Sequence, residues 1–303
     1  MEGVSRTEIE TLLNSAETFK EILDRKIPKV PSLRGLTAVN LFFEPSTRTR
    51  LSFELAEKRL SADSVSISPS GSSSEKGESL IDTIHNVEAM KVDFLIVRHS
   101  AAGAPHFLAS RCDVAVINAG DGCHEHPTQA LLDLFTIRQH LPTFEGLKVA
   151  ILGDIAHSRV ARSNIWALRT MGADVTLCAP RTLLPPGIED LGAKIHPRLD
   201  DLIDEMDIIM VLRIQKERQG ESFLPSSREY ARHFSLTRSR ADRMKANSFI
   251  MHPGPINRGI EMAPEVADGP RSVILDQVTN GVAVRMAVLY LLAGGETDHA
   301  LAN

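Results

Sequence analysis

Short apolar runs alternate with longer segments of helical periodicity along most of this chain, and that alternation limits the class of fold it can adopt. Ile9, Leu12, Leu13, Ala16, Phe19, Ile22 and Leu23 recur at helical spacing and predict a helix within residues 5–25. "LTAVNLFF" at 36–43, apolar and ended by Pro45, reads as a buried strand. Helical "TRLSFELAEKRL", strand-like "SVSIS", helical "ESLIDTIHNVEAM" and strand-like "DFLIVR" and "DVAVIN" follow in turn. Strands separated by helices of this length need crossover connections, so the expected class is α/β with mainly parallel sheets flanked by helices.

A chain of 303 residues exceeds what one compact core usually organises, which predicts two domains. "PTQALLDLFTIRQHL" carries Pro127 in its first turn and stops before Pro142 and Gly146, so the boundary is expected after this helix. A second alternation then begins: "LKVAILGD", a helix over 158–171, "ADVTLCAP", a short helix near Asp200, "DIIMVLR" and "SFIMHPGP". The helix expected at 274–292 is apolar around much of its circumference and should be packed on several sides. The expected organisation is therefore 1–141, 142–280, and a C-terminal segment 281–303 whose helix packs back on the first domain and whose tail frays. Residues 69–77, "PSGSSSEKG", have the composition of a surface loop, and the polar stretch 214–235 reads as a long functional or mobile connection.

Formal net charge is -5 and the pI is near 6.1, which predicts neither nucleic-acid nor bilayer binding from bulk charge. The opening segment lacks a signal pattern, and no apolar run approaches the ~18 residues of a membrane span, so a cytoplasmic location is expected. Cys112, Cys123 and Cys178 form neither a CxxC cluster nor an even disulfide framework; Cys112 and Cys178 read as core thiols.

In open parallel sheets the ligand crevice lies beyond the carboxyl ends of the strands, so the residues that follow each strand carry the chemistry. "EPSTRTR" follows the first strand, Arg98 ends "DFLIVR", "AGDGCHEHPTQ" follows "VAVIN", "DIAHSR" follows "KVAILG", and "HPGPINRG" follows "SFIM". A helix N-terminus with Ser and Thr hydroxyls and an arginine fork suits phosphate oxygens, so Ser46, Thr47, Arg48 and Thr49 with Arg98 read as an anion cradle. The plainer reading is an ordinary N-cap with solvated arginines. "HEHPTQ" has too few ligands at suitable spacing for zinc; a neutral His126 is better placed to donate to a carbonyl oxygen, with Gln129 reaching an adjoining amide. His124 and His252 read as structural. "VAILGDIAHSRVARSN" has strand, glycine and helix but not the GxGxxG spacing of a dinucleotide site, and no GxxxxGK(S/T) loop occurs.

With these residues in place, "FFEPSTRTRLSFE", "INAGDGCHEHPTQALLDLFTI", "GDIAHSRVARSN", "LRIQKER" and "HPGPINRG" together resemble, in order and over nearly the whole chain, the aspartate carbamoyltransferase catalytic chains. The resemblance implies two α/β lobes, one for carbamoyl phosphate (1–141) and one for aspartate (142–280). It also implies ordered binding of carbamoyl phosphate and then L-aspartate, a homotrimer with shared active sites, and no cofactor, metal or covalent intermediate. By the same resemblance Ser46, Thr47, Arg48, Thr49, Arg98, His126 and Gln129 bind carbamoyl phosphate, and Ser72 and Lys76 reach into a neighbouring subunit's site. Arg48, Thr49, Lys76, Arg98 and His126 are implied as catalytic. Lys76, Arg159, Arg213, Gln215 and the Gly254–Pro255 turn are implied to hold aspartate. Many relatives have Leu where this chain has Gly254, a departure that leaves a backbone role intact.

Ornithine carbamoyltransferases share the first half of this pattern. They typically carry an HCLP-type turn and an SMG loop, neither of which is present, whereas Arg213 suits a carboxylate and would repel ornithine's terminal ammonium. A catalytically silent relative is the remaining alternative, and the matched positions are all occupied. Whether trimers pair with a regulatory chain or a dihydroorotase is left open by the sequence.

Overall fold

The computed structural model describes residues 1–67, 79–215 and 226–295. The chain divides into two compact units: Thr7–Phe135 with the segment from Thr279 onward, and Met1–Arg6 with Thr136–Val278. The division falls inside the helix Pro127–His140 rather than after it, and again inside the last helix, so both helices run from one unit into the other.

The first unit contains α1 (Arg6–Leu23), β1 (Thr37–Phe42), α2 (Thr47–Arg59), β2 (Asp63–Ile67), α3 (Leu80–Glu88), β3 (Phe94–His99), α4 (Ala104–Ala109), β4 (Ala115–Asp121) and the start of α5 (Pro127–His140). Its four strands lie in the order β2-β1-β3-β4, all parallel. Val39, Leu41, Leu95 and Val97 project to one face, against Ile84, Val87 and Leu108. Each such side chain contributes about 2 kcal/mol of transfer free energy when fully buried. β1 is buried along nearly its whole length, as expected of a strand covered on both faces, whereas the edge strand β2 is only partly covered.

The second unit contains β5 (Lys148–Leu152), α6 (Arg159–Thr170), β6 (Asp174–Cys178), β7 (Lys194–Ile195), β8 (Ile208–Val211), α7 (Ser227–Phe234), α8 (Arg238–Ala241), β9 (Phe249–Met251), α9 (Pro264–Ala267) and the start of α10 (Ile274–Leu292). Its strand order is β7-β6-β5-β8-β9, again all parallel. Leu152, Ile209, Val211, Ile250 and Met262 anchor its core.

The α/β class and the parallel sheets expected from the alternation are present in both units. Several local expectations need correction. Part of the polar stretch 214–235 is helical: Ser226 caps α7 by accepting from the Glu229 N–H at 3.1 Å, and the helix buries Tyr230. A strongly polar outer face hid the single buried position from a reading by composition. Cys178 is buried, but Cys112 is only half-buried. The loop 69–77 and the C-terminal tail from 296 lie outside the described residues. Among the described residues no helix is long and apolar enough to cross a membrane.

Candidate active site

The register of the first sheet assembles one end of the site. Phe42 pairs with Arg98, and the Phe43 N–H donates to the Arg98 carbonyl at 2.9 Å, so the turn that leads into α2 begins beside the Arg98 side chain. Ser46 stands at the N-cap of α2 in extended conformation, yet its side chain makes no capping hydrogen bond. That counts against the plainer N-cap reading: α2 presents its first-turn N–H groups and dipole end with Thr47, Arg48 and Thr49 in that turn. No acidic residue occupies the turn to compete for an anion. Arg98 Nη1 donates to the Ala119 carbonyl at 3.3 Å, and its Nε lies 3.7 Å from Glu44. Within its own unit Glu44 thus faces Arg98.

Asp121, fully buried at the end of β4, organises the turns around it. One of its oxygens accepts from the Gly103 N–H at 2.6 Å and faces His124 Nδ1 at 3.0 Å; the other accepts from Asn118 Nδ2 at 2.9 Å and the Glu125 N–H at 3.1 Å. Gly122 adopts φ +46, and a Cβ there would stand 2.9 Å from the Ala102 nitrogen, so only glycine lets the two turns approach. This scaffold leads directly into buried His126 and the first turn of α5. Gln129 donates from Nε2 to Asp133 Oδ1 at 2.9 Å. Because a carboxylate only accepts, the carboxamide oxygen of Gln129 is turned away from Asp133 and remains an acceptor for an N–H of a ligand.

In the second unit the ends of β5, β8 and β9 are tied together by buried polar groups. Asp154, fully buried after β5, accepts from the His157 N–H at 3.2 Å and faces His157 Nδ1 at 2.8 Å through one oxygen; through the other it accepts from the Gln215 N–H at 3.3 Å. Gln215 Nε2 donates to the His157 carbonyl at 3.0 Å, and Asn257 Nδ2 donates to the Ile214 carbonyl at 3.2 Å. Arg159 opens α6 and is buried, while Arg213 follows β8. The Gly254–Pro255 peptide is cis, the Gly254 N–H donates to His252 Nδ1 at 2.7 Å, and His252 is buried against Glu261 at 3.5 Å. His124 and His252 thus have structural partners.

Each unit therefore gathers its own share of the sequence-predicted residues: Ser46, Thr47, Arg48, Thr49, Arg98, His126 and Gln129 in one, Arg159, Arg213, Gln215, Gly254 and Pro255 in the other. Ser72 and Lys76 lie outside the described residues. Asp121, Asp133 and Asp154 were missed as organisers. Asp121 and Asp154 stand at strand ends in the "AGDG" and "LGDI" stretches, which was the available signal. Among the described residues no group of three His, Cys, Asp or Glu side chains is placed to hold a metal ion.

Two parallel-sheet α/β units, each with arginine and other polar side chains at the carboxyl ends of its strands, define a class of frame in which ligands bind at those ends. Comparison with known proteins identifies it. Residues 1–139 match the carbamoyl-phosphate-binding domain of the aspartate/ornithine carbamoyltransferases and residues 145–292 match their Asp/Orn-binding domain, so the chain belongs to that family. Within it, the chain is 60% identical to the aspartate carbamoyltransferase catalytic subunit of Syntrophotalea carbinolica, over 98% of this chain and 95% of that one. Its fold is similar to the catalytic subunit of M. jannaschii aspartate transcarbamoylase (37% identity, TM-score 0.85, 97% of this chain and 96% of the other). It is also similar to the Trypanosoma cruzi enzyme in complex with carbamoyl phosphate and aspartate (31% identity, TM-score 0.86, 95% and 94%).

Proposed function

We infer that this chain is an aspartate carbamoyltransferase. It transfers the carbamoyl group of carbamoyl phosphate to the amino group of L-aspartate, giving N-carbamoyl-L-aspartate and phosphate in de novo pyrimidine (UMP) synthesis. The observation that carries this reading is the uncapped Ser46 at the N-terminus of α2, beside Arg98, in a chain so similar to aspartate carbamoyltransferase catalytic subunits.

The two substrates bring roughly four negative charges together, so the site must supply cations. Arg48, Lys76, Arg98, Arg159 and Arg213 do so. Ser46, Thr47, Arg48 and Thr49 take the phosphate oxygens with Ser72 and Lys76 of a neighbouring subunit. His126, Thr49 and Arg48 or Arg98 donate to the carbamoyl oxygen as it gains charge. The Gln129 carboxamide oxygen accepts from the carbamoyl –NH2. Arg159, Arg213 and Gln215 hold aspartate, with backbone carbonyls of the Gly254–Pro255 turn.

The aspartate amine attacks the carbamoyl carbon; the new C–N bond forms, the C–O bond to phosphate breaks, and the departing phosphate takes the amine proton. No group on the chain is covalently modified, so orientation and charge stabilisation supply the rate. The enzyme works in the cytoplasm as a homotrimer with shared sites, open to a regulatory chain or a dihydroorotase as partner. Arg213 favours aspartate over ornithine as acceptor.

Titration calorimetry tests the order implied by the two half-sites. Carbamoyl phosphate alone is expected to bind, and L-aspartate only once a phosphate-bearing ligand is present. Tight binding of aspartate to the free protein would contradict the reading.

A further inference from the structure

We propose that Glu261 is a positioning residue for the aspartate half-site: one oxygen of its side chain braces both the Gly254–Pro255 turn and the strand end that carries Arg213 and Gln215. The inference rests on the reading of those residues as aspartate ligands.

Glu261 is fully buried in the second unit, and backbone bonds hold the stretch that carries it. The Leu236 N–H donates to the Glu261 carbonyl at 2.9 Å, and the Ala263 N–H donates to the Leu236 carbonyl at 3.1 Å. From this fixed place Glu261 Oε1 meets two groups. The Asn257 N–H donates to it, and Nε2 of buried His252 stands 3.5 Å away. His252 is oriented by its other ring nitrogen. Because the Gly254 N–H can only donate, Nδ1 accepts that bond at 2.7 Å, and the ring proton lies on Nε2, the nitrogen that faces Glu261. The His252 N–H donates in turn to Gln277 Oε1 at 2.9 Å, which ties the end of β9 to α10. Asn257 forms the second arm: its Nδ2 donates at 3.2 Å to the carbonyl of Ile214, the residue between Arg213 and Gln215. The arms meet at one oxygen.

A buried carboxyl is a costly way to fill this space, since apolar residues of similar volume usually serve stability as well or better. What an apolar side chain could not do is accept from Asn257 and face the His252 N–H at the same time. Both groups need an acceptor oxygen rather than a charge, so glutamine should serve at this position where leucine does not. Without the acceptor, the turn and the Ile214 backbone lose their common brace, and a misplacement of about 1 Å at a substrate contact can cost up to about 10²-fold. Glu261, His252, Asn257 and Ile214 all belong to the second unit, so the loss should spare carbamoyl phosphate.

The test uses the full-length enzyme, with KM for aspartate and kcat measured at saturating carbamoyl phosphate and Kd for carbamoyl phosphate measured by calorimetry. Glu261→Leu should raise KM for aspartate roughly tenfold while Kd for carbamoyl phosphate stays within about twofold. Glu261→Gln, which keeps the acceptor, should return KM to within about threefold of the wild-type value. Should Glu261→Leu fail to fold, Asn257→Ala takes its place; it removes the arm to Ile214 alone and should raise KM for aspartate about fivefold with the same unchanged Kd. An unchanged KM in the folded variant, a Glu261→Gln enzyme as impaired as Glu261→Leu, or an equal weakening of carbamoyl phosphate binding would overturn the inference while leaving the half-site reading intact. Arg213→Ala with wild-type KM for aspartate would overturn the half-site reading itself.

Discussion

The Asn40 side chain on β1 places its Nδ2 2.9 Å from each carboxylate oxygen of Glu57 on α2, and the Ser64 hydroxyl on β2 donates to one of them. Glu57 is fully buried, and that burial pushes its carboxyl up to about 7 despite the two hydrogen-bond partners. The folded protein therefore holds a proton that the unfolded chain releases near 4.5. Stability from this group is greatest below the unfolded value and falls as pH rises from about 4.5 to about 7, by up to about 3 kcal/mol. Glu57→Gln abolishes that slope. Thermal melts of both proteins between pH 5 and 8 should show the variant gaining on the wild type as pH rises; parallel curves would contradict the assignment.

Arg48 and Arg213 are assigned to different stages of the reaction. Arg48→Ala should lower kcat by about 10²-fold or more, the usual loss for a donor to developing charge. Arg213→Ala should instead raise KM for aspartate about 10- to 100-fold, as expected for a charge-assisted hydrogen bond to a carboxylate. Steady-state kinetics with each substrate varied checks both, and the opposite pattern would reverse the roles.

A shared site predicts complementation. Lys76→Ala and Arg48→Ala chains, each inactive alone, should regain activity when dissociated and reassembled together, because about a quarter of randomly assorted interfaces carry both intact side chains. No recovery would mean that each chain's site is self-contained.

Gly153 follows β5 with φ +126, and a Cβ there would stand 2.9 Å from the Leu212 carbonyl oxygen. Backbone faces backbone at that point, so nothing can give way cheaply. Gly153→Ala should cost about 2 kcal/mol or more and shift Arg213 and Gln215, which lie just beyond Leu212. The expected signature is a lower melting temperature with a raised KM for aspartate and little change in binding of carbamoyl phosphate alone, measured by calorimetry.

Much of this was legible in the sequence because parallel strands buried on both faces leave unbroken apolar runs: "LTAVNLFF" and "DFLIVR" mark β1 and β3 within a residue or two. The proposed cradle drew notice for a related reason, since Ser and Arg directly after such a run have few structural uses. Short elements escaped. α4 and α9, of 6 and 4 residues, are too brief to establish a period, and the two-residue β7 is held by its neighbour in the sheet rather than by its own composition. Asp121 and Asp154 gave only a weak signal, because a lone Asp at a strand end looks the same whether it organises a turn or faces solvent. Arg285 was hidden more thoroughly: an arginine in a largely apolar helix gives no sign of its surroundings, and only packing against Ser52, Phe53 and Gly281 shows this one to be buried.

The central claim is that this chain carbamoylates the amine of aspartate, and ureido-product formation tests it most directly. The purified protein is supplied with carbamoyl phosphate and either L-aspartate or L-ornithine, and the carbamoylated product is quantified. Product from aspartate alone is the predicted result. Product from ornithine but not from aspartate would contradict the account at Arg213, and product from neither would contradict it altogether.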